Sequence, residues 1–421
     1  MRYKTIICFV LIFILLHVSE GFAQQTTKQD TVLEFMHRIE ILTEEIEKAK
    51  LGDGIRSGRQ ESGIEERFRA LEHQVATLEL EQTSPTALSG YMDFHYNKSS
   101  PGDAILDFHR FVLLFSHEFS ESIRFYSELE IEHAFIKSGQ GEVELEQAFI
   151  DFHIDPNLAI RVGIVLVPMG IQNERHEGPA YFGVERHQVE TVLIPTTWFD
   201  PGVGIFGRIV PGLDYKLYIL GSLDGTKFKA NGIRGARSKG FKTNIDNPAI
   251  AGRLTYSGFK DLTVGTSLYY GDVGHKIDID ASITIYDIDF AYRYRFLELR
   301  GIWTQTFVGN ADGLTAAIDA KDGPIARRME GFDLEVAVHL LPQTHEWDLA
   351  LFARYEEADT QAKLHSGFLP VRRFDRNWIT LGASFLPHPD VVIKVDYQIG
   401  HNEDPTVEEG NSFNIGLGWW F

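Results

Sequence analysis

From residue 88 onward the chain alternates apolar and polar positions in segments of about ten residues, the period-two pattern of strands with two unlike faces. In one segment Ile123, Phe125, Leu129 and Ile131 share a face, while Arg124, Tyr126, Glu128, Glu130 and Glu132 share the other. The split recurs with Thr284, Tyr286, Ile288, Phe290, Tyr292 and Tyr294 against Asp287, Asp289, Arg293 and Arg295, and again with Val391, Ile393, Val395, Tyr397 and Ile399 against Lys394, Asp396 and Gln398. Charge at every second position cannot face lipid, so one face meets hydrocarbon and the other a wet interior.

Strands are predicted near 88–96, 105–117, 122–135, 143–154, 158–167, 202–210, 213–222, 248–257, 260–271, 282–295, 298–308, 330–340, 346–355, 375–386, 390–400 and 412–421. That is about 16 antiparallel strands, an even number as single-chain bacterial barrels have. Tight turns such as Asp155-Pro156-Asn157 and Pro211-Gly212 are expected to alternate strictly with longer loops, the rhythm of short periplasmic turns and long external loops. The last strand places Phe413, Ile415, Leu417, Trp419 and the terminal Phe421 on one face. A C-terminal aromatic after alternating apolar residues resembles the address that outer-membrane barrels present to their assembly machinery. The fold class expected is an all-β transmembrane barrel.

The period is different before residue 87. Arg2 and Lys4, a short apolar run from Ile6 to Val18, and Gly21-Phe22-Ala23 read as a cleaved export signal over 1–23. The single cysteine, Cys8, lies inside it, so the mature chain should hold no disulfide. Val32, Phe35, Ile39, Leu42, Ile46 and Ala49 form one heptad seam, and Ile64, Phe68, Leu71, Val75 and Leu78 a second, separated by Gly52, Gly54, Gly58 and Gly63. Residues 24–86 are thus expected to form a short periplasmic coiled-coil or helical segment, with a helical hairpin as the rival reading. The boundary falls at Thr83-Ser84-Pro85-Thr86, where the period changes to two, and 87–421 is the expected barrel domain.

Composition alters the picture in two ways. Mean hydropathy is −0.14, which for a barrel is no objection because only alternate residues need be apolar. The net charge is −20, and about 16 of those charges belong to 87–421, which argues against nucleic acid and against whole-protein steering of anions. Acidic balance is compatible with divalent-bridged lipopolysaccharide.

The longest connection, 168–201, is the third external loop, and in general porins the third loop folds inward to narrow the pore. Its stretch NERHEGPAYFGVERHQVE…IPTTW, with the preceding VELEQAFIDFHID and RVGIVLVPMG, resembles the phosphate-selective porin O and P family. The resemblance covers most of the barrel. It implies a homotrimer of three separate pores and, in characterised members, an arginine ladder and a lysine cluster that select anions. Read on their own, the residues give a mixed interior, with Arg124, Arg161, Arg208 and Arg253 on inward faces beside Glu128, Glu130, Asp151, Asp287 and Asp289. The expectation is therefore an outer-membrane porin for passive diffusion of small hydrophilic solutes or ions, weakly selective. An anion- or phosphate-selective porin, and a membrane anchor for the helical segment, are the alternatives.

The residues expected to line or constrict the pore are Arg124, Glu128, Glu130, Arg161, Arg175, His176, Glu177, Arg186, His187, Arg208, Arg253, Asp287, Asp289 and Arg293. Glu174, His176, Glu177, Glu185 and His187 could offer ligands to a divalent ion, but their spacing matches no defined site, and a role in constriction or in pinning the loop is preferred. Lys227, Lys229, Arg234, Arg237, Lys239 and Lys242 form a basic run in the fourth loop that could make a cationic mouth, and a simply solvated loop is the preferred reading. Gly202-Val-Gly204-Ile-Phe-Gly207 spells a dinucleotide fingerprint without the following helix that the motif needs. No catalytic constellation, cofactor or metal site is expected.

Overall fold

The structure is a computed structural model that describes residues 85–137, 140–318, 320, 323–342 and 345–421. The predicted signal and heptad segment lie outside the described residues. Sixteen strands follow one another: β1 (Thr86–Ser100), β2 (Ala104–Ser120), β3 (Ile123–Lys137), β4 (Gln140–Asp155), β5 (Leu158–Leu166), β6 (Phe199–Val210), β7 (Leu213–Leu220) and β8 (Ala249–Phe259) form the first half. The second half is β9 (Leu262–Asp272), β10 (Ser282–Tyr294), β11 (Leu297–Gly309), β12 (Arg328–His339), β13 (Asp348–Lys363), β14 (Asp375–His388), β15 (Val391–Asn402) and β16 (Asn411–Trp420). Each pairs with its sequence neighbours, and β1 pairs antiparallel with β16, closing the barrel.

Closure depends on the C-terminus. Phe421 exchanges two 2.9 Å backbone hydrogen bonds with Gly90, and its ring stacks on Phe111. A Cβ on Gly90 would lie 2.6 Å from the Phe421 ring, so a glycine is needed where the last residue seats.

The outer wall carries Val162, Leu217, Leu268, Ile288, Leu351 and Ile393, all exposed, as hydrocarbon-facing side chains should be. The alternating partners Glu128, Glu130, Asp287, Asp289, Lys394 and Asp396 are buried inside.

Two expectations are corrected. Turns and loops do not alternate strictly, because the connections at 101–103 and 138–139, on the loop end, are as short as turns. There the strands themselves run on, with 17 residues in β2 and 16 in β4. On the turn end, the β12–β13 connection spans 340–347. Nor is the lumen wet throughout. At the loop end, inward Ala249, Ala251, Ile283 and Ile285 belong to an apolar core with side chains of the long loops. That core requires an inner face that is apolar where apolar loop residues pack on it and polar elsewhere.

Candidate functional site: a loop pinned across the lumen

The third loop, L3 (residues 167–198), leaves β5 and turns inward because its two ends are apolar. Val167, Met169, Val189, Leu193, Ile194 and Trp198 are fully buried in the lumen core, with Trp198 against Tyr269 at 4.6 Å between ring centroids. Asn173 ties the base together: its Nδ2 donates to the carbonyls of Val167 (2.7 Å) and Trp198 (2.9 Å), and its Oδ1 accepts from Trp198 N at 2.7 Å.

Between these anchors the polar limb reaches the wall on several sides. Glu174 meets Lys216 of β7 at 2.5 Å, Gly170 N donates to Asp287 of β10, and Glu356 of β13 accepts from Gln188 N at the start of the short helix α1 (Gln188–Val192). Lys394 of β15 donates to the carbonyls of Gly178 (2.5 Å) and Gly183 (2.9 Å), and Asp396 accepts from Val184 N at 2.7 Å. Asp287, Glu356, Lys394 and Asp396 are buried, and each contact they make satisfies a polar group that would otherwise cost about 1–3 kcal/mol.

Two histidines act as latches with opposite charge states. His176 Nε2 lies 2.9 Å from Glu146 and 3.5 Å from Glu128. Burial opposes its charge, but Glu146 and Glu128 outweigh burial and push the imidazole up to about 10. Glu146 is available because β4 carries a bulge there: the register steps from Glu128↔Gln147 to Leu129↔Leu145, and the extra residue aims inward. His187 hydrogen-bonds through Nδ1 to Asp333 at 2.9 Å, and burial together with the Arg354 guanidinium pushes it down to about 4, so it is neutral.

The charged latch makes a prediction. Because the folded-state value for His176 lies above the free-imidazole 6.5, its contribution to stability is complete below about 6.5 and is lost as pH rises through about 10. The gap in urea midpoint between the parent and His176→Gln should therefore be widest near pH 6 and close by about pH 10.5. A gap that stays constant over that range would show that the charge is not what holds the loop.

The residues predicted to line the pore fall into four groups. Glu128, Glu130, His176 and His187 are buried at the L3 contacts, with Glu130 3.5 Å from Arg110. Arg253, Asp287 and Asp289 form a second cluster, the Arg253 guanidinium bidentate on Asp289 at 2.6 and 2.9 Å, while Arg161 is bidentate on Asp151 at 2.7 and 2.8 Å and stacks on Phe149. Arg124, Arg208 and Arg293 are not drawn to L3: they sit at the turn end beside Glu118, Asp214 and Glu298. On L3 itself Arg175 is exposed, and Glu177 and Arg186 are half-buried. Sequence reasoning passed over Arg110, Glu146, Asp333, Glu335, Arg354 and Glu356. The signal for most was the inward phase of their strands; for Glu146 it was the slip of alternation at Gln147. The dinucleotide-like glycines lie within β6, where a Cβ on Gly204 would fall 1.8 Å from the Tyr218 ring.

A closed 16-stranded cylinder with an inward third loop defines the class of porin-like β-barrels. No established family model matches the sequence. The chain belongs to the same family as an uncharacterized protein of Aquifex aeolicus, to which it is 30% identical over 350 residues covering 80% of each chain. Its fold is similar to that of Salmonella typhi OmpF (TM-score 0.55, 13% identity, 80% of this chain and 98% of that one). It is likewise similar to the anion-selective porin of Comamonas acidovorans (TM-score 0.53, 13% identity, 80% and 100%). The outer membrane channel DcaP of Acinetobacter baumannii gives a TM-score of 0.53 at 11% identity, over 80% and 97%.

Proposed function

We propose that this protein is an outer-membrane porin through which small hydrophilic solutes and ions diffuse passively. The observation that carries the reading is L3, held by side chains of β3, β4, β7, β10, β12, β13 and β15, which narrows a 16-stranded lumen. Barrels of this strand number enclose an aqueous channel. At the turn end a recess of about 600 Å³, lined by residues including Asp261, Thr263, Arg293 and Glu298, serves as the vestibule. Homotrimers embedded in lipopolysaccharide-containing membrane and inserted by the barrel assembly machinery belong to the same proposal; native mass spectrometry tests the trimer.

Selectivity follows from charge. Among the described residues, fifteen carboxylates are buried, against Arg110, Arg354 and Lys394 as the buried Arg and Lys side chains. That excess supports weak selectivity leaning toward cations. The finer reading, membership of the phosphate-selective porin O and P family, has one observation in its favour. Arg234 and Arg237 of the fourth loop lie near Arg186 of L3, and burial together with these two neighbours holds Arg234 down to about 9. In a planar bilayer with a salt gradient, the reversal potential should give a cation-to-anion permeability ratio of about 1 to 5, higher still in Arg234→Ala/Arg237→Ala. A strong anion preference would decide for the phosphate-selective reading. An insulating barrel would decide instead for an anchor of the 24–86 segment.

A further inference from the structure

At the loop end of β1–β3, three histidines from three strands gather around two carboxylates on the inner wall. His133 Nδ1 lies 2.9 and 3.0 Å from the two oxygens of Asp107, and His109 Nδ1 lies 3.5 Å from the nearer of them. The His109 ring stacks on His95 at 4.5 Å, and His95 in turn spans Glu185 of L3 (3.2 Å) and Asp93 (3.5 Å).

Strand alternation alone would not produce this grouping. Arg110 and Glu132 are register partners, and Arg110 faces inward onto Asp93 and Glu130. Their neighbours His109 and His133 should therefore point outward. Both point inward instead: His109 stacks on His95, and His133 takes a left-handed backbone (φ 62°) that keeps its imidazole on Asp107. Irregularities of this kind re-aim side chains at functional places. The neighbouring cation does not compete, since Arg110 is held by Asp93 at 3.3 Å and Glu130 at 3.5 Å.

We propose that Asp107, His109 and His133 bind a divalent first-row transition metal of the zinc type on the lumen wall. One ligand atom from each lies within 4.8 Å of the others. Zinc takes nitrogen and oxygen ligands at about 2.0–2.2 Å in a tetrahedron, which sets neighbouring ligand atoms about 3.3–3.5 Å apart. The 2.9 and 3.5 Å separations around Asp107 bracket that spacing, so small side-chain shifts suffice. The side chains of Asp107, His109 and His133 are 27%, 24% and 42% exposed, which leaves an approach from the lumen and a fourth coordination position for water. Stacked against His109, with one nitrogen 3.2 Å from Glu185 and the other 3.5 Å from Asp93, His95 fixes that ring's plane from behind, the role an outer shell plays at metal sites. Imidazole and carboxylate donors favour zinc, copper or nickel over magnesium.

The test is independent of whether the barrel conducts. Full-length protein purified in detergent, stripped with chelator and dialysed against ZnCl2 with excess MgCl2 at pH 7.5, should retain one zinc per chain by elemental mass spectrometry. His109→Ala/His133→Ala should lose it, with affinity falling at least about a hundredfold, since outer-shell losses alone cost 10–100-fold. Asp107→Asn, which preserves shape while removing the charge, should weaken binding at least about tenfold. Strand-dominated circular dichroism and the heat-dependent gel shift confirm that each variant is folded. The proposal is overturned if the parent retains no zinc, or if both folded variants keep a full equivalent, which would place the metal at His176 or His187.

Discussion

Replacing residues 174–186 with a short Gly-Ser link should raise single-channel conductance about two- to fivefold. A pore's resistance is concentrated at its narrowest section, and this limb lies between apolar anchors that the excision leaves in place. Val167, Met169, Val189, Leu193, Ile194 and Trp198 all lie outside the removed stretch, so the apolar core at the loop end persists. What is lost is the His176 latch and the loop carbonyls of Gly178 and Gly183 that Lys394 holds. Glu146, Glu128 and Lys394 then face water in a wider lumen, where their charges are solvated. Conductance equal to that of the parent, in a variant that still forms the barrel, would mean that L3 is not the constriction.

Arg354→Met should cost about 3–5 kcal/mol, because removing one partner of a buried ionic group leaves its counter-charges uncompensated. Arg354 is 1% exposed; its Nε donates to Glu356 at 2.9 Å, and Nη1 lies 3.5 Å from Glu335, with both carboxylates equally buried. Glu356 also receives the first amides of α1, so the loss reaches L3 as well as the wall. Urea unfolding in lipid vesicles, followed by tryptophan fluorescence, measures the change. Adding Glu356→Gln should return part of the loss by removing one orphaned charge. If Arg354→Met alone unfolds at the parent's midpoint, the cluster is too well hydrated for the guanidinium to matter.

Strand positions were legible because lipid on one side and loops or water on the other impose alternation along each segment. The predicted 298–308 and 390–400 correspond to Leu297–Gly309 and Val391–Asn402. The end of β13 escaped: beyond Tyr355 the chain reads EEADTQAK, with no apolar face, yet the strand continues to Lys363. Those residues have passed the apolar belt, and backbone pairing carries the strand on where no pattern marks it. The inward third loop was legible from its length, its place in the series and its resemblance to known porins. Its partners were not, since Asp333, Arg354 and Lys394 lie more than a hundred residues along the chain.

By itself, the chain's alternation determined a barrel, its strand number, which residues of each strand face out, and a C-terminal aromatic that completes the seam. These are properties of single strands meeting two media, and each strand records them independently. Only the tertiary structure decided which inward charges meet, where the lumen is apolar, and how bulges at Glu146 and the slips at His109 and His133 redirect side chains. Pairing across a closed cylinder depends on register and on the path of L3, and one residue of slip changes the face that a side chain occupies.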